Sequence, residues 1–552
     1  MKRSWSPPAR GLALDIDGLE DLLERDRFPL PILEYLPLKE LGRLASVSRR
    51  ICEASAGALS ALKKLTIGPY WRGAADPREN DIDAFRRSQS LATRIISVMP
   101  LPRLRELQLH CLMRDPRSRW PAVCARMTGL TSITATVASA HPAAVEAMLA
   151  SRATLTHVSL LDDLEAPTDS LSLRSVAEGL QQALSRCCRL TDFSLAASAL
   201  AYGSTTAVAL FPSASHLRRL CIHLGCIGFP DVDDWGDVDF GKEIVDSLVA
   251  AVRLVSSAPA SLFELVVTLP DDECWIEGDD GDWGDRIDDG VKQLEAAVVS
   301  AAMRLPLRRI IVRNLYTRSD LPADMLPTEM LAVEELTCSS SPPMVDMDDA
   351  YVGVLRALLH QAGNLRMLDL SQLAPSRIAS VEAGAPWDSP LTVAEGLALE
   401  QLAVADLDML VELRRTGSLR SARPRKLTLR TATMWGGGDD AEDPFLPMVV
   451  AARADLVESL FVHVAALQIG TSGLDDDAVL IARCLSISAL FPSIHTLVLL
   501  HEPAFRGDAA SRETLRQSLA VAVKTQELVF VELQIQPPGW GAPPAKLVGP
   551  NW

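Results

Sequence analysis

The 552-residue sequence predicts an α/β solenoid, a repeated helix-plus-strand unit stacked into a horseshoe or arc with its strands in one curved sheet and its helices outside. Three observations predict it. A short apolar pattern returns in order along most of the chain, amphipathic stretches lie between its copies, and the composition supplies a core, with 48% apolar and 23% charged residues. That balance is far from the low-hydrophobicity, high-charge signature of disorder.

The strand element reads as an apolar residue, two variable residues, a second apolar residue, one variable residue and a third apolar residue. In the first half it occurs as Leu62/Leu65/Ile67, Leu104/Leu107/Leu109, Leu130/Ile133/Ala135, Leu155/Val158/Leu160, Leu190/Phe193/Leu195, Leu217/Leu220/Ile222 and Leu262/Leu265/Val267. In the second half it reads Leu307/Ile310/Val312, Val333/Leu336/Cys338, Leu365/Leu368/Leu370, Leu399/Leu402/Val404, Pro424/Leu427/Leu429, Val457/Leu460/Val462 and Ile494/Leu497/Leu499. Several steps are 25 to 27 residues and others stretch to between 32 and 45, so the longer ones carry insertions. The intervening helices show apolar residues at three- and four-residue steps, as in Val176 to Leu184, Ile244 to Val255, Val291 to Met303 and Val352 to Leu359. One such unit cannot bury its apolar face alone, so neighbours must stack.

Fourteen ordered matches make chance unattractive, and from Leu62 to Leu499 the chain resembles the leucine-rich-repeat family. That family places an asparagine in the turn after each strand. This chain has only four Asn and none at that position, so an irregular solenoid without a regular asparagine ladder is expected.

Upstream stand Ile32-Leu33-Glu34-Tyr35-Leu36-Pro37-Leu38-Lys39-Glu40-Leu41, then Leu44, Val47-Ser48-Arg49-Arg50 and Ile51. Pro37 suits a helix start, and Leu41, Leu44, Val47 and Ile51 form one apolar stripe. The segment resembles an F-box, a small all-α cluster that docks on the Skp-type adaptor of cullin-RING ubiquitin ligases. The resemblance implies adaptor contacts through Ile32, Leu33, Leu36, Pro37, Leu38, Leu41, Leu44 and Val47, and a cullin scaffold beyond the adaptor. The alternative is a plain helical cap over the first repeat of a stand-alone leucine-rich-repeat scaffold or inhibitor.

The expected organisation is an N-terminal segment 1–26, the F-box-like motif at 27–60, the repeat array at 61–535 and a Pro/Gly-rich tail at 536–552. Acidic insertions are expected at 229–242 and 270–290, and each contains Asp-Trp-Gly-Asp, at Asp234 to Asp237 and Asp282 to Asp285. Neither matches a calcium-loop pattern, and both read as solvated insertions.

Alternation along a strand sends the residues flanking the second and third apolar positions to the concave face. A protein substrate would meet Glu106, Gln108, His110, Arg219, His223, Arg309, Arg313, Asp369, Lys426, Arg430 and His463 there.

The net charge of −17 argues against nucleic acid as a partner. Ten cysteines without a C-x-x-C pair read as reduced thiols, with no disulfide framework and no zinc site. Gly436-Gly437-Gly438 is followed by Asp439 and Asp440, the wrong charge for a phosphate cradle. No nucleophile motif occurs, so no enzyme, metal or cofactor is expected. The start, Met1 to Arg10, lacks an apolar run, and no membrane span is expected. The sequence therefore reads as a monomer outside its complex, in cytoplasm or nucleus, that recruits substrates to a ubiquitin ligase.

Overall fold

A computed structural model of the chain describes residues 63–67, 103–109, 120–161, 179–180, 182–196, 216–224, 240–270, 281–315, 329–340, 357–359, 362–372, 399–415, 422–430, 446–470, 486–487, 489–501, 517 and 527–532. The F-box-like motif with all its adaptor-contact residues, the flanking segment 1–26, the tail 536–552, His110, and residues 229–239 and 271–280 of the acidic stretches lie outside these. The chain divides into two compact units, residues 1–134 with 142–155, and residues 135–141 with 156–552.

The first unit holds β1 (Lys64–Ile67), β2 (Glu106–Leu109) and α1 (Trp120–Cys124), with residues 132–134 of β3 (Ser132–Thr136) and residues 142–150 of α2 (Val137–Ala150). β1 and β2 are parallel, with Leu65 opposite Leu107. β1 and β2 each begin one residue after a carbonyl that accepts two N–H groups from the next repeat. Lys63 O takes those of Arg105 and Glu106 at 2.8 and 3.0 Å, and Arg105 O takes those of Thr131 and Ser132 at 2.8 and 3.0 Å. The apolar triads Leu104/Leu107/Leu109 and Leu130/Ile133/Ala135 are buried, as are Ala143, Ala144, Ala147 and Met148 of α2. Ser151, just past α2, has no exposed surface. Its Oγ accepts the Leu130 N–H at 3.1 Å and donates to the Met127 carbonyl, tying the helix end to the turn before β3.

The second unit continues the pattern through β4 (His157–Leu161), β5 (Asp192–Ala196), β6 (Arg219–His223), β7 (Glu264–Thr268), β8 (Arg309–Leu315) and β9 (Glu335–Ser340). It goes on with β10 (Met367–Gln372), β11 (Gln401–Val404), β12 (Lys426–Leu429), β13 (Ala466–Gly470), β14 (Thr496–His501) and β15 (Glu527–Glu532). Strand order follows chain order, and every neighbouring pair from β4 to β15 is parallel. The register keeps the second apolar residue of each repeat opposite that of the next, as in Phe193 with Leu220, Leu220 with Leu265, and Leu265 with Ile310. This is a parallel α/β repeat sheet, and it accounts for the period-2 alternation in the sequence.

The forked carbonyl returns from β4 to β14, for example Thr156 to Thr191 and Asp192, Arg218 to Phe263 and Glu264, Phe263 to Arg308 and Arg309, Glu400 to Arg425 and Lys426. Pro424 takes the first apolar position of its repeat and is buried, because that residue lies before the ladder and its missing N–H is not needed.

Among the helices, α3 (Phe240–Ser256) and α4 (Gly281–Arg304) pack on each other. A Cβ on Gly290 of α4 would press on the Leu248 side chain of α3, so the absence of a side chain there permits the approach. Arg304, at the end of α4, donates to the carbonyls of Ser256 at 2.8 Å and Val255 at 3.3 Å, satisfying acceptors that the end of α3 leaves open. The acidic residues 281–290 form the first turns of α4, and residues 240–242 open α3. Further on, α5 (Leu407–Arg415) is held to α6 (Leu446–Ser459) by the buried Arg414, which pairs with Asp455 and donates to Ser459 Oγ at 2.8 Å.

Two repeats differ from expectation. The triad expected at Val457/Leu460/Val462 falls on the end of α6 and a 3-10 turn, Phe461–His463; the strand is β13, with Val464, Leu467 and Ile469 buried in its place. The helix end imitates the strand pattern because an i, i+3 spacing is shared by both. A further strand, β15, follows the last expected triad, with Leu528 opposite Leu497.

Gly470 ends β13 where a Cβ would overlap the Arg430 carbonyl oxygen. Gly470→Ala is expected to destabilise the chain by about 3 kcal/mol or more in urea denaturation, since backbone has to move. Ser151→Ala is expected to cost about 1–3 kcal/mol by the same measurement, because it leaves a buried N–H and a buried carbonyl without their shared partner.

Candidate functional site

On the strands, the second and fourth positions are buried, which leaves the first, third and fifth to the other face, here the outer face. From β4 to β9 the first position carries His157, Asp192, Arg219, Glu264, Arg309 and Glu335, side by side in the register. Parallel strands lie about 4.8 Å apart, close enough for each side chain to reach the next. His157 Nδ1 lies 3.3 Å from Asp192 Oδ2. Arg219 Nε donates to Glu264 Oε1 at 3.1 Å, Arg309 Nη1 stands 3.7 Å from the same oxygen, and Arg309 Nε is 3.1 Å from Glu335 Oε2. Just before the strands, Arg308 sits 3.0 Å from Glu334 and 5.8 Å from the ring centre of the half-exposed Phe263.

The third position of β6, β7 and β8 is apolar. Cys221, Val266 and Ile311 form a buried cluster on the outer face, between the charged row and a second polar row. That second row is His223, Thr268 and Arg313. His223 Nδ1 and Thr268 Oγ1 share a hydrogen bond of 3.2 Å. Burial, reinforced by Arg313 and Arg219, drops the His223 pKa to about 4, so the ring is neutral at physiological pH. Burial also lowers the pKa of Arg313, and Arg219 and Arg309 push the same way; only a Cys221 thiolate would oppose them. The Cys221 thiol is itself pushed up to about 11, mainly by burial, and stays protonated at neutral pH.

Four of the residues expected on the concave face, Arg219, His223, Arg309 and Arg313, are brought together on β6 and β8, either side of β7. Others are spread out. Glu106, in the first unit, is exposed at the start of β2, 3.9 Å from Lys64, with Gln108 half-buried beyond it. Asp369, on β10, accepts from Ser371 N at 3.0 Å and Ser371 Oγ at 2.7 Å. Lys426 opens β12, where burial lowers its pKa, and the exposed Arg430 follows that strand. His463 is exposed in the 3-10 turn before β13 and not on the strand, where Gln468 stands beside Thr428 with Oε1 3.0 Å from the threonine Oγ1.

Sequence reasoning missed Asp192, Glu264, Glu335 and Thr268, which complete the cluster. Their signal was their place just before the second or just after the third apolar residue of a repeat. Among the described residues, no group of His, Cys, Asp or Glu could hold a metal ion, and no helix is long and apolar enough to cross a membrane. No protein-family model matches the chain, and no curated protein is similar to it.

An unfolded chain protonates histidine near 6.5, whereas folded His223 stays neutral down to about 4, so the unfolded state binds more protons between these values. The stability contributed by the neutral ring is complete above about 6.5 and is lost as pH falls toward 4. Urea denaturation at pH 7 and pH 4.5 should show the wild type losing on the order of 1–3 kcal/mol more than His223→Gln over this interval.

Proposed function

We propose that this chain is a protein-recognition subunit whose leucine-rich-repeat-like array presents the outer sheet face to a protein substrate, and that it serves a cullin-RING ubiquitin ligase. The observation that carries the recognition half is the parallel sheet itself. Its strands follow the chain one by one, and its outer face gathers distant residues such as Arg219, Glu264 and Arg309 into one polar surface. Side chains held on neighbouring strands are preorganised, which reduces the ordering cost of binding.

The ligase half rests on the F-box-like segment from Ile32 to Ile51. In that role the chain contributes geometry: it holds a substrate lysine near a charged ubiquitin carrier and raises its effective concentration. The catalytic chemistry belongs to the partners.

The test is a pull-down of the full-length protein with a Skp-type adaptor, beside the double variant Leu36→Asp with Leu38→Asp, after circular dichroism has matched their folds. Retention of the adaptor by the wild type and at least a tenfold loss in the variant is the expected result. An adaptor that ignores the wild-type chain overturns the ligase role and leaves a capped scaffold.

A further inference from the structure

We draw no further inference here: the strongest candidate, the pair of exposed apolar side chains Phe263 and Met330 in the turns that lead into β7 and β9, carries nothing, because nothing in the structure shows what covers them.

Discussion

The carbonyl that precedes β1, β2 and each strand from β4 to β13 accepts two N–H groups from the following repeat, and the register of the sheet depends on that fork. It recurs from Lys63 in the first unit to Ala465 just before β13, with N···O distances near 2.8–3.1 Å at most steps. Each fork fixes where the next strand starts, and register in a sheet is a choice between two faces, since a one-residue slip would expose every apolar side chain. The apolar triads then act as the energetic complement. A fully buried Leu contributes about 1.5–3 kcal/mol, and each repeat buries two or three such residues. Neither term suffices alone. The fork sets register without much net stability, and the apolar burial gives stability without specifying which neighbour to pair with.

Because register is preserved, side chains 26 to 45 residues apart in sequence become cross-strand neighbours on the outer face. The alternating row from His157 to Glu335 is the product. Its pairs are partly solvated, and exposed ion pairs add little stability individually. Their larger effect is to orient one another, since each of Glu264 and Arg309 has neighbours on both sides. Asn314 contributes at the far end of β8. In a left-handed conformation, φ 59°, it donates its side-chain N–H to the Leu269 carbonyl at 3.1 Å, one local instance of an asparagine bridging consecutive repeats.

Much of this architecture was legible in the sequence because burial of alternate residues leaves a period-2 signal that the spaced triads report directly. The triad at Leu130/Ile133/Ala135 was readable even with a small third residue, and Pro424 even without a leucine. The strand at Ala466–Gly470 was displaced because the apolar residues closing α6 share its spacing. The candidate site was half legible. Arg219, His223, Arg309 and Arg313 follow from position within the repeat. The pairing that commits Glu264 and Glu335 to Arg219 and Arg309 depends on rotamers and on distances between strands, and one chain of letters carries neither.

The register across β12 and β13 is the most direct test, because there the sequence pattern and the structure disagree. Thr428 and Gln468 are Cα partners, whereas His463 lies before the strand. A short bis-methanethiosulfonate reagent can be applied to Thr428→Cys paired with Gln468→Cys, and separately to Thr428→Cys paired with His463→Cys, with the products mapped by mass spectrometry. Rapid cross-linking of the first pair and little of the second is the result this account predicts. Preferential linking of the second pair would place the strand five residues earlier and contradict the register on which the outer face is built.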